Sequence, residues 1–344
     1  MPQQRPFPQP EIFSPGSGEP SLRWGVIGAG WISGQFVDAL REHTSQQVVA
    51  VATRSRATAG PFAQAQGIER AYSSVSELLD DREVDVVYIA TPQELHVSVG
   101  LEAIAAGKHV LIEKPIATDA KEAARLVSAA SRAGVLLMEA MWTRYLPQTQ
   151  VIRALLDDGA LGDPRSVFAD HGQATAADNR LRRGGRAGGA LLDLGVYSVQ
   201  LASLALGPAT EVSISGTATD AGVDATTTLI LQHEGGTTAT ITTSLETQTP
   251  TVASINGSAA RIELPGPFYF PVGFTLRTND WWDQPQTWVD ESGVSLFGAL
   301  SWQATALACY VKDGRTESPL HTHAETVRII ETIDRARVAL GTFA

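Results

Sequence analysis

Cysteine is nearly missing from this chain: Cys309 is the one thiol in 344 residues. A single thiol excludes an intrachain disulfide, a cysteine-ligated zinc cluster and a CxxC redox pair. Its apolar setting, residues 304–311, makes it an expected core residue. Positive charge is short as well, with 26 Lys and Arg against 37 Asp and Glu and a formal net charge of −11. Nucleic-acid and anionic-membrane surfaces need a basic face, so neither is an expected partner. Local arginines and helix N-termini still allow a phosphorylated cofactor. Long apolar runs are absent too, and no stretch reaches the roughly 18 residues of a spanning helix. The first twenty residues lack the apolar segment of a signal peptide, which makes the cytoplasm the expected location. That stretch, rich in Pro, Gly and Gln, cannot bury enough apolar area to offset its ordering entropy. Residues 1–20 therefore read as a flexible arm.

What remains is ordinary globular text, 43% hydrophobic and 18% charged, long enough for about two domains. Apolar runs at 22–28, 48–53, 84–91, 109–113 and 135–139 read as strands. Helical spacing fills the gaps at 31–41, 97–106 and 119–133, and glycines close several segments. This alternation is the signature of βαβ units and a parallel sheet. After a helix at 146–158 and a strand at 165–171, residues 211–263 become threonine-rich and alternating, with Asn256-Gly257 as a hairpin signal. Two helices, 298–312 and 324–340, end the chain, and no internal repeat is visible. The expected layout is an α/β Rossmann domain at 21–141 followed by an α+β domain of mostly antiparallel strands at 142–344.

Gly28-Ala29-Gly30-Trp31-Ile32-Ser33 stands at the first strand-to-helix junction. Gly28 permits the tight turn there, and Gly30 lets a pyrophosphate approach the helix N-terminus. Ser33 replaces the third glycine of the strict fingerprint. The second strand runs into Thr53-Arg54-Ser55 with no carboxylate to accept from an adenosine ribose. A guanidinium binds a 2′-phosphate through two charge-assisted hydrogen bonds, and the Thr53 and Ser55 hydroxyls can add to them. NADP is therefore the expected cofactor ahead of NAD, with a solvated basic turn as the alternative for Arg54.

Three segments fall where chemistry is expected, beyond the strand ends and in the second domain. They are Thr91-Pro92-Gln93-Glu94-Leu95-His96, Glu113-Lys114-Pro115, and residues 188–197, GGALLDLGVY. Lys114 follows an apolar strand and precedes a proline, which would hold it over a cofactor crevice. Asp193 and Tyr197 are spaced i, i+4 and share a side if that segment is helical. Oxidising an alcohol needs a base for the hydroxyl proton, and a free tyrosine titrates near ~10. A lysine ammonium lowers that value, so Lys114 with Tyr197 is a chemically sensible pair. A packed aromatic is the alternative for Tyr197.

GKHVLIEKP (107–115) and GGALLDLGVY (188–197) resemble the glucose–fructose oxidoreductase, inositol dehydrogenase and rhizopine catabolism (Gfo/Idh/MocA) family. MEAMWTRY (138–145) and SPLHTHAETVRIIETIDRAR (318–337) resemble its branch of dimeric dihydrodiol dehydrogenase and NADP-dependent D-xylose dehydrogenase. The resemblance implies a second domain with a large open sheet and at least a homodimer. It implies a sugar, polyol or dihydrodiol as the small-molecule substrate and Tyr197 as general acid/base. Lys114 would bond the reacting hydroxyl and the nicotinamide ribose, Asp193 would position substrate, and His96 would lie near the nicotinamide. Trp142 and Arg144 would contact cofactor or line the substrate pocket, alongside cofactor contacts from Thr91, Pro92 and Glu113. Residues 178–186, DNRLRRGGR, are more basic than the family pattern and read as a solvated loop or as a seat for an anionic group. His321 and His323 have an x-spaced arrangement, but no third ligand is evident nearby and no metal is expected. Trp281 and Trp282 could stack on a sugar or be buried. A non-catalytic NADP sensor and a keto-sugar reductase working in reverse are the alternatives to the dehydrogenase.

Overall fold

The computed structural model of the chain describes residues 6–280 and 282–342. In chain order its elements are β1 (Arg23–Ile27), α1 (Trp31–His43), β2 (Gln47–Ala52), α2 (Arg56–Ala65), β3 (Arg70–Tyr72), α3 (Val75–Leu79) and β4 (Val86–Ile89). There follow α4 (His96–Ala105), β5 (His109–Glu113), α5 (Ala120–Ala133), β6 (Leu137–Ala140), α6 (Pro147–Asp157), β7 (Pro164–Gly172) and α7 (Val196–Leu206). The chain then runs through β8 (Ala209–Ala218), β9 (Asp224–His233), β10 (Thr238–Ser244), β11 (Ala253–Gly257), β12 (Ala260–Leu264), β13 (Phe274–Thr278) and β14 (Gln286–Trp288). It closes with α8 (Leu300–Lys312) and α9 (His323–Leu340). Two compact units result: Phe13–Leu146 with Val294–Val327, and Pro147–Gly293 with Met1–Ile12 and Arg328–Ala344.

The first unit is built on a parallel sheet of order β3-β2-β1-β4-β5-β6. Strands β4 and β6 are buried at every position, Glu139 of β6 included. Such unbroken burial is what a sheet covered on both faces requires. Helix α1 buries Phe36, Val37 and Leu40 completely, each contributing roughly 1.5–3 kcal/mol. Phe36 stacks on Tyr88 of β4 at 3.9 Å between centroids. Helix α5 starts where the Asp119 carboxylate accepts from the Glu122 amide at 2.8 Å and stops at Gly134, which takes φ 67°. The short elements β3 and α3 are shorter than the runs over which strand and helix periodicity is recognised.

Where the sequence reading made one cut after residue 141, the chain in fact re-enters the first unit at Val294. Helix α8 is buried from Leu300 to Ala308 and again at Tyr310, so it needs cover on every side. It finds that cover against α1 and the 3-10 turn Trp142–Tyr145. Periodicity shows which face is apolar, but it carries no information on which neighbour will cover it. Cys309 is half-buried rather than a full core residue, and burial, with the Glu19 and Asp313 carboxylates, pushes its thiol up. The arm is also less free than its composition suggests. Phe13 meets Tyr310 edge-on at 5.2 Å in the first unit, and Phe7 meets Phe274 edge-on at 5.5 Å in the second. Two aromatic rings suffice to hold a stretch that has no apolar run.

The second unit carries a sheet of order β14-β13-β12-β11-β7-β10-β9-β8, antiparallel except for the parallel pair β7–β10. Alternation in β9 and β10 turns Leu229, Leu231, Ala239 and Ile241 inward. Hydroxyl pairs join these strands, with Thr227 and Thr243 2.9 Å apart and Thr226 and Ser244 2.7 Å apart. Helix α7 packs on β7, whereas Phe168 and Ile230 point outward and are 52% and 45% exposed. Among the described residues no helix is long and apolar enough to cross a membrane.

Candidate functional site

The strand order of the parallel sheet reverses at β1 and β4, which opens a crevice at their carboxyl ends. Gly28 floors it with φ 110°, and its amide donates to the Ala52 carbonyl at 2.9 Å. A Cβ there would lie 2.4 Å from the Ala90 carbonyl oxygen, so two separate constraints demand glycine. Gly30 is different: it has φ −82° and an added Cβ would meet nothing within 4 Å. It is the N-cap of α1, whose first turn has neither a side-chain cap nor an acidic residue. Trp31 stands 66% exposed with its ring edge on Phe297, and Ile32 is half-buried. Open space over uncapped helix amides suits a pyrophosphate. Nearby, the buried Thr91 hydroxyl has no hydrogen-bond partner among the described residues, and Pro92 beside it is exposed. The residues present therefore fit a dinucleotide.

At the end of β2, Arg54 is exposed and makes no hydrogen bond or ion pair among the described residues. Ser55 caps α2 by accepting from the Ala57 amide at 3.2 Å, which leaves its own hydroxyl proton for another acceptor. Thr53 is already committed, donating to the Ser55 carbonyl at 2.7 Å.

Glu113 ends β5 with its carboxylate turned inward, accepting from the Tyr88 hydroxyl at 2.5 Å and the Lys114 amide at 3.2 Å. Lys114 is half-buried, and its peptide to Pro115 is cis. His96 is 1% exposed; Nδ1 lies 2.9 Å from the Pro115 carbonyl and Nε2 3.0 Å from that of Thr91. A neutral imidazole has one N–H, so one of these carbonyls accepts a hydrogen bond and the other is a close neighbour. Burial lowers the His96 pKa and keeps it neutral. The residue is placed as a brace between the two loops. Trp142 is 4% exposed and stacks toward Phe297, while Arg144 is 1% exposed and pairs with Glu325 at 2.7 Å. Both lie inside the packing of this unit.

Burial alone would raise the Glu325 carboxyl, but the His321 and Arg144 contacts outweigh it and hold it far below the usual carboxylate range. Stability from this group is therefore present above the ordinary carboxyl value of about 4.3 and lost as pH falls below it. Glu325→Gln is expected to cost roughly 3 kcal/mol near neutrality, where it leaves Arg144 buried without its carboxylate. Thermal melts from pH 7 down to pH 3 should show the gap between the two proteins closing with acid. A gap that stayed constant would count against the assignment.

In the second unit a π turn, Leu191–Gly195, leads directly into α7. Its start is fixed by Asp224, which accepts from the Leu191 amide at 2.6 Å. Gly189 has φ 98°, and a Cβ on it would lie 2.1 Å from Asp224 Oδ1. Asp193 and Tyr197 are each 7% exposed. Tyr197 stacks on Tyr269 at 4.4 Å and 15°, and Tyr269 stacks on His171 at 4.8 Å. The His171 and Tyr269 walls went unrecognised in the sequence; the run Phe268-Tyr269-Phe270 after Gly266-Pro267 is a signal for Tyr269, whereas His171 has none. Residues 178–186 form a mostly exposed loop, as expected, pinned at a few points. Arg180 pairs with Asp193 at 3.0 Å, Leu181 is buried, and Arg182 donates to the Thr175 hydroxyl and the Leu245 carbonyl. Its guanidinium groups tie the loop to a carboxylate, a hydroxyl and a carbonyl outside it. Trp281 lies outside the described residues, and Trp282 is 89% exposed, so core burial does not hold for it.

Comparison with known proteins gives the family of the chain. The oxidoreductase family with an NAD-binding Rossmann fold, GFO_IDH_MocA, matches residues 22–141, and the GFO/IDH/MocA C-terminal domain matches 149–263. The trans-1,2-dihydrobenzene-1,2-diol dehydrogenase of Sus scrofa is 34% identical over 326 residues, 93% of this chain and 97% of the relative. That of Danio rerio is 35% identical over the same shares. Among solved structures, the 3-ketoreductase KijD10 from Actinomadura kijaniata, in complex with NADP and TDP-benzene, is 28% identical with a TM-score of 0.79. That match covers 93% of this chain and 98% of KijD10. Levoglucosan dehydrogenase, in complex with NADH and levoglucosan, shares the fold with a TM-score of 0.81 at 19% identity, over 93% and 97% of the two chains. With both of its domains matched and relatives similar along nearly its whole length, the chain belongs to the GFO/IDH/MocA family of oxidoreductases.

Proposed function

We propose that the chain is an NADP-dependent dehydrogenase acting on a hydroxyl-bearing carbon of a sugar, a related polyol or a dihydrodiol. The observation that carries the cofactor preference is Arg54, exposed and unpaired among the described residues at the end of a β2 that bears no carboxylate. A dinucleotide held at Gly28, Gly30 and Arg54 would supply hydride chemistry there. Tyr197 takes the hydroxyl proton during oxidation and returns it during reduction. Lys114 donates a hydrogen bond to the reacting oxygen, and Asp193, fixed by Arg180, orients the substrate hydroxyls. The similarity to a 3-ketoreductase favours a second reading, in which the same residues reduce a keto-sugar.

The test is NADPH formation by the purified protein on pentoses, hexoses, inositols and a trans-dihydrodiol, with NAD in parallel and the reductive direction run on keto-sugars. Arg54→Ala removes a charge-assisted contact of about 2 kcal/mol. It is expected to raise KM for NADP roughly 30-fold by that figure while leaving KM for NAD within about 3-fold. Equal losses with both cofactors would refute the phosphate contact. Binding of NADP without turnover in either direction would leave a sensor.

A further inference from the structure

The loop that carries Lys114 is held at the peptide group that follows Pro115. Pro115 has no amide proton, so the first group after the lysine with both a donor and an acceptor is the Pro115–Ile116 peptide. Its N–H, that of Ile116, donates to Glu139 Oε1 at 2.9 Å. Its carbonyl faces the buried His96 ring, 2.9 Å from Nδ1. Glu139 sits on β6, the strand beside β5, and is 4% exposed.

Glu139 is itself held from behind. Its second oxygen accepts from His321 Nε2 at 2.9 Å. The other side of that ring stands 3.6 Å from Glu325 Oε2, and Glu325 Oε1 accepts from Arg144 at 2.7 Å. Arg144 and His321 are 1% and 3% exposed. The chain of groups thus runs from the 142–145 turn, through the first turn of α9 and the segment before it, to the amide two residues past Lys114. All of it lies in the first unit. Two carboxylates, a guanidinium and an imidazole buried together are an expensive way to fill space, since apolar residues of the same volume generally stabilise a fold as well. Directional bonds give what apolar packing does not, a fixed rotamer and a fixed backbone position. Misplacing a reacting group by about 1 Å can cost 10²-fold in rate.

We propose that Glu139 is a positioning residue for Lys114, acting through the Ile116 amide, and that His321 and the Glu325–Arg144 pair fix the Glu139 rotamer. The proposal rests on the reading of Lys114 as a catalytic residue. Glu139→Ala is expected to lower kcat roughly 100-fold per folded enzyme, as about 1 Å of misplacement implies, while NADP Kd, measured by titration, stays within about 3-fold. Glu139→Gln should recover most of the rate, because its amide oxygen still accepts from Ile116. Amide hydrogen exchange at Ile116 should speed up in the alanine variant and not in the glutamine variant. If Glu139→Ala does not fold, Glu139→Asp takes its place; it keeps the charge but withdraws the oxygen by one methylene, and the same loss of kcat is expected.

The double variant with Lys114→Ala separates the two ideas. If Glu139 acts through Lys114, adding Glu139→Ala to Lys114→Ala brings no further loss of kcat. Multiplying losses, or an unchanged kcat in Glu139→Ala, would overturn the positioning role. Full turnover in Lys114→Ala alone would instead overturn the catalytic reading of the lysine.

Discussion

Tyr197→Phe is expected to cut turnover by about 10³-fold and to leave dinucleotide binding unchanged. Positioned proton transfer contributes typically 10²–10⁴-fold, and removing one phenolic oxygen removes that route without altering the ring. The ring should stay where it is, because Tyr197 stacks on Tyr269 at 4.4 Å through its face rather than its hydroxyl. Lys114→Ala should give a loss of similar size. Steady-state rates in both directions, with cofactor binding followed by fluorescence, would read both variants. A tyrosine variant that retained its rate would reduce Tyr197 to a packed aromatic.

Gly28→Ala should damage the fold and the cofactor site together. A φ of 110° is costly for any L side chain, and the added Cβ would press within 2.4 Å of the Ala90 carbonyl. Strain of this kind is worth about 1–3 kcal/mol, and the forced shift of β4 adds to it. A lower thermal midpoint together with weakened dinucleotide binding is the expected pair of results. Gly30→Ala is the informative contrast, since its φ is −82° and the space around it is open. It should leave the midpoint in place and weaken only the dinucleotide. Equal effects from the two substitutions would mean that Gly30 serves the fold and not a ligand.

Much of the first unit was legible because parallel strands are written as apolar runs, as in Val86–Ile89 and Val110–Ile112. The turn at Gly28 and the lysine after β5 could be placed for the same reason, since each follows such a run directly. Glu139 could not be understood this way. Its partner His321 is 182 positions away, and Arg144 and Glu325 are 181 apart. The spacing of His321 and His323 suggested a metal only to be set aside, and in the fold each meets protein instead, His321 facing Glu139 and His323 the Leu137 carbonyl at 2.9 Å. Arg144 was expected at the cofactor or the substrate pocket because the resemblance implies it, and in the fold it is buried against a carboxylate from α9. Local pattern reveals elements and turns, whereas long-range polar pairing needs the fold.

The seat of Asp224 against Gly189 has a consequence for how this sequence can drift. The carboxylate occupies the volume where a side chain at 189 would grow, 2.1 Å from its first carbon. It also holds the Leu191 amide that starts the π turn. Neither position can change first without loss: a larger residue at 189 collides, and a shorter one at 224 abandons the amide. Descendants of this chain should therefore keep glycine at 189, where φ 98° strains any L side chain even with the carboxylate gone, and a library randomised at both sites should return glycine at 189 whatever it returns at 224.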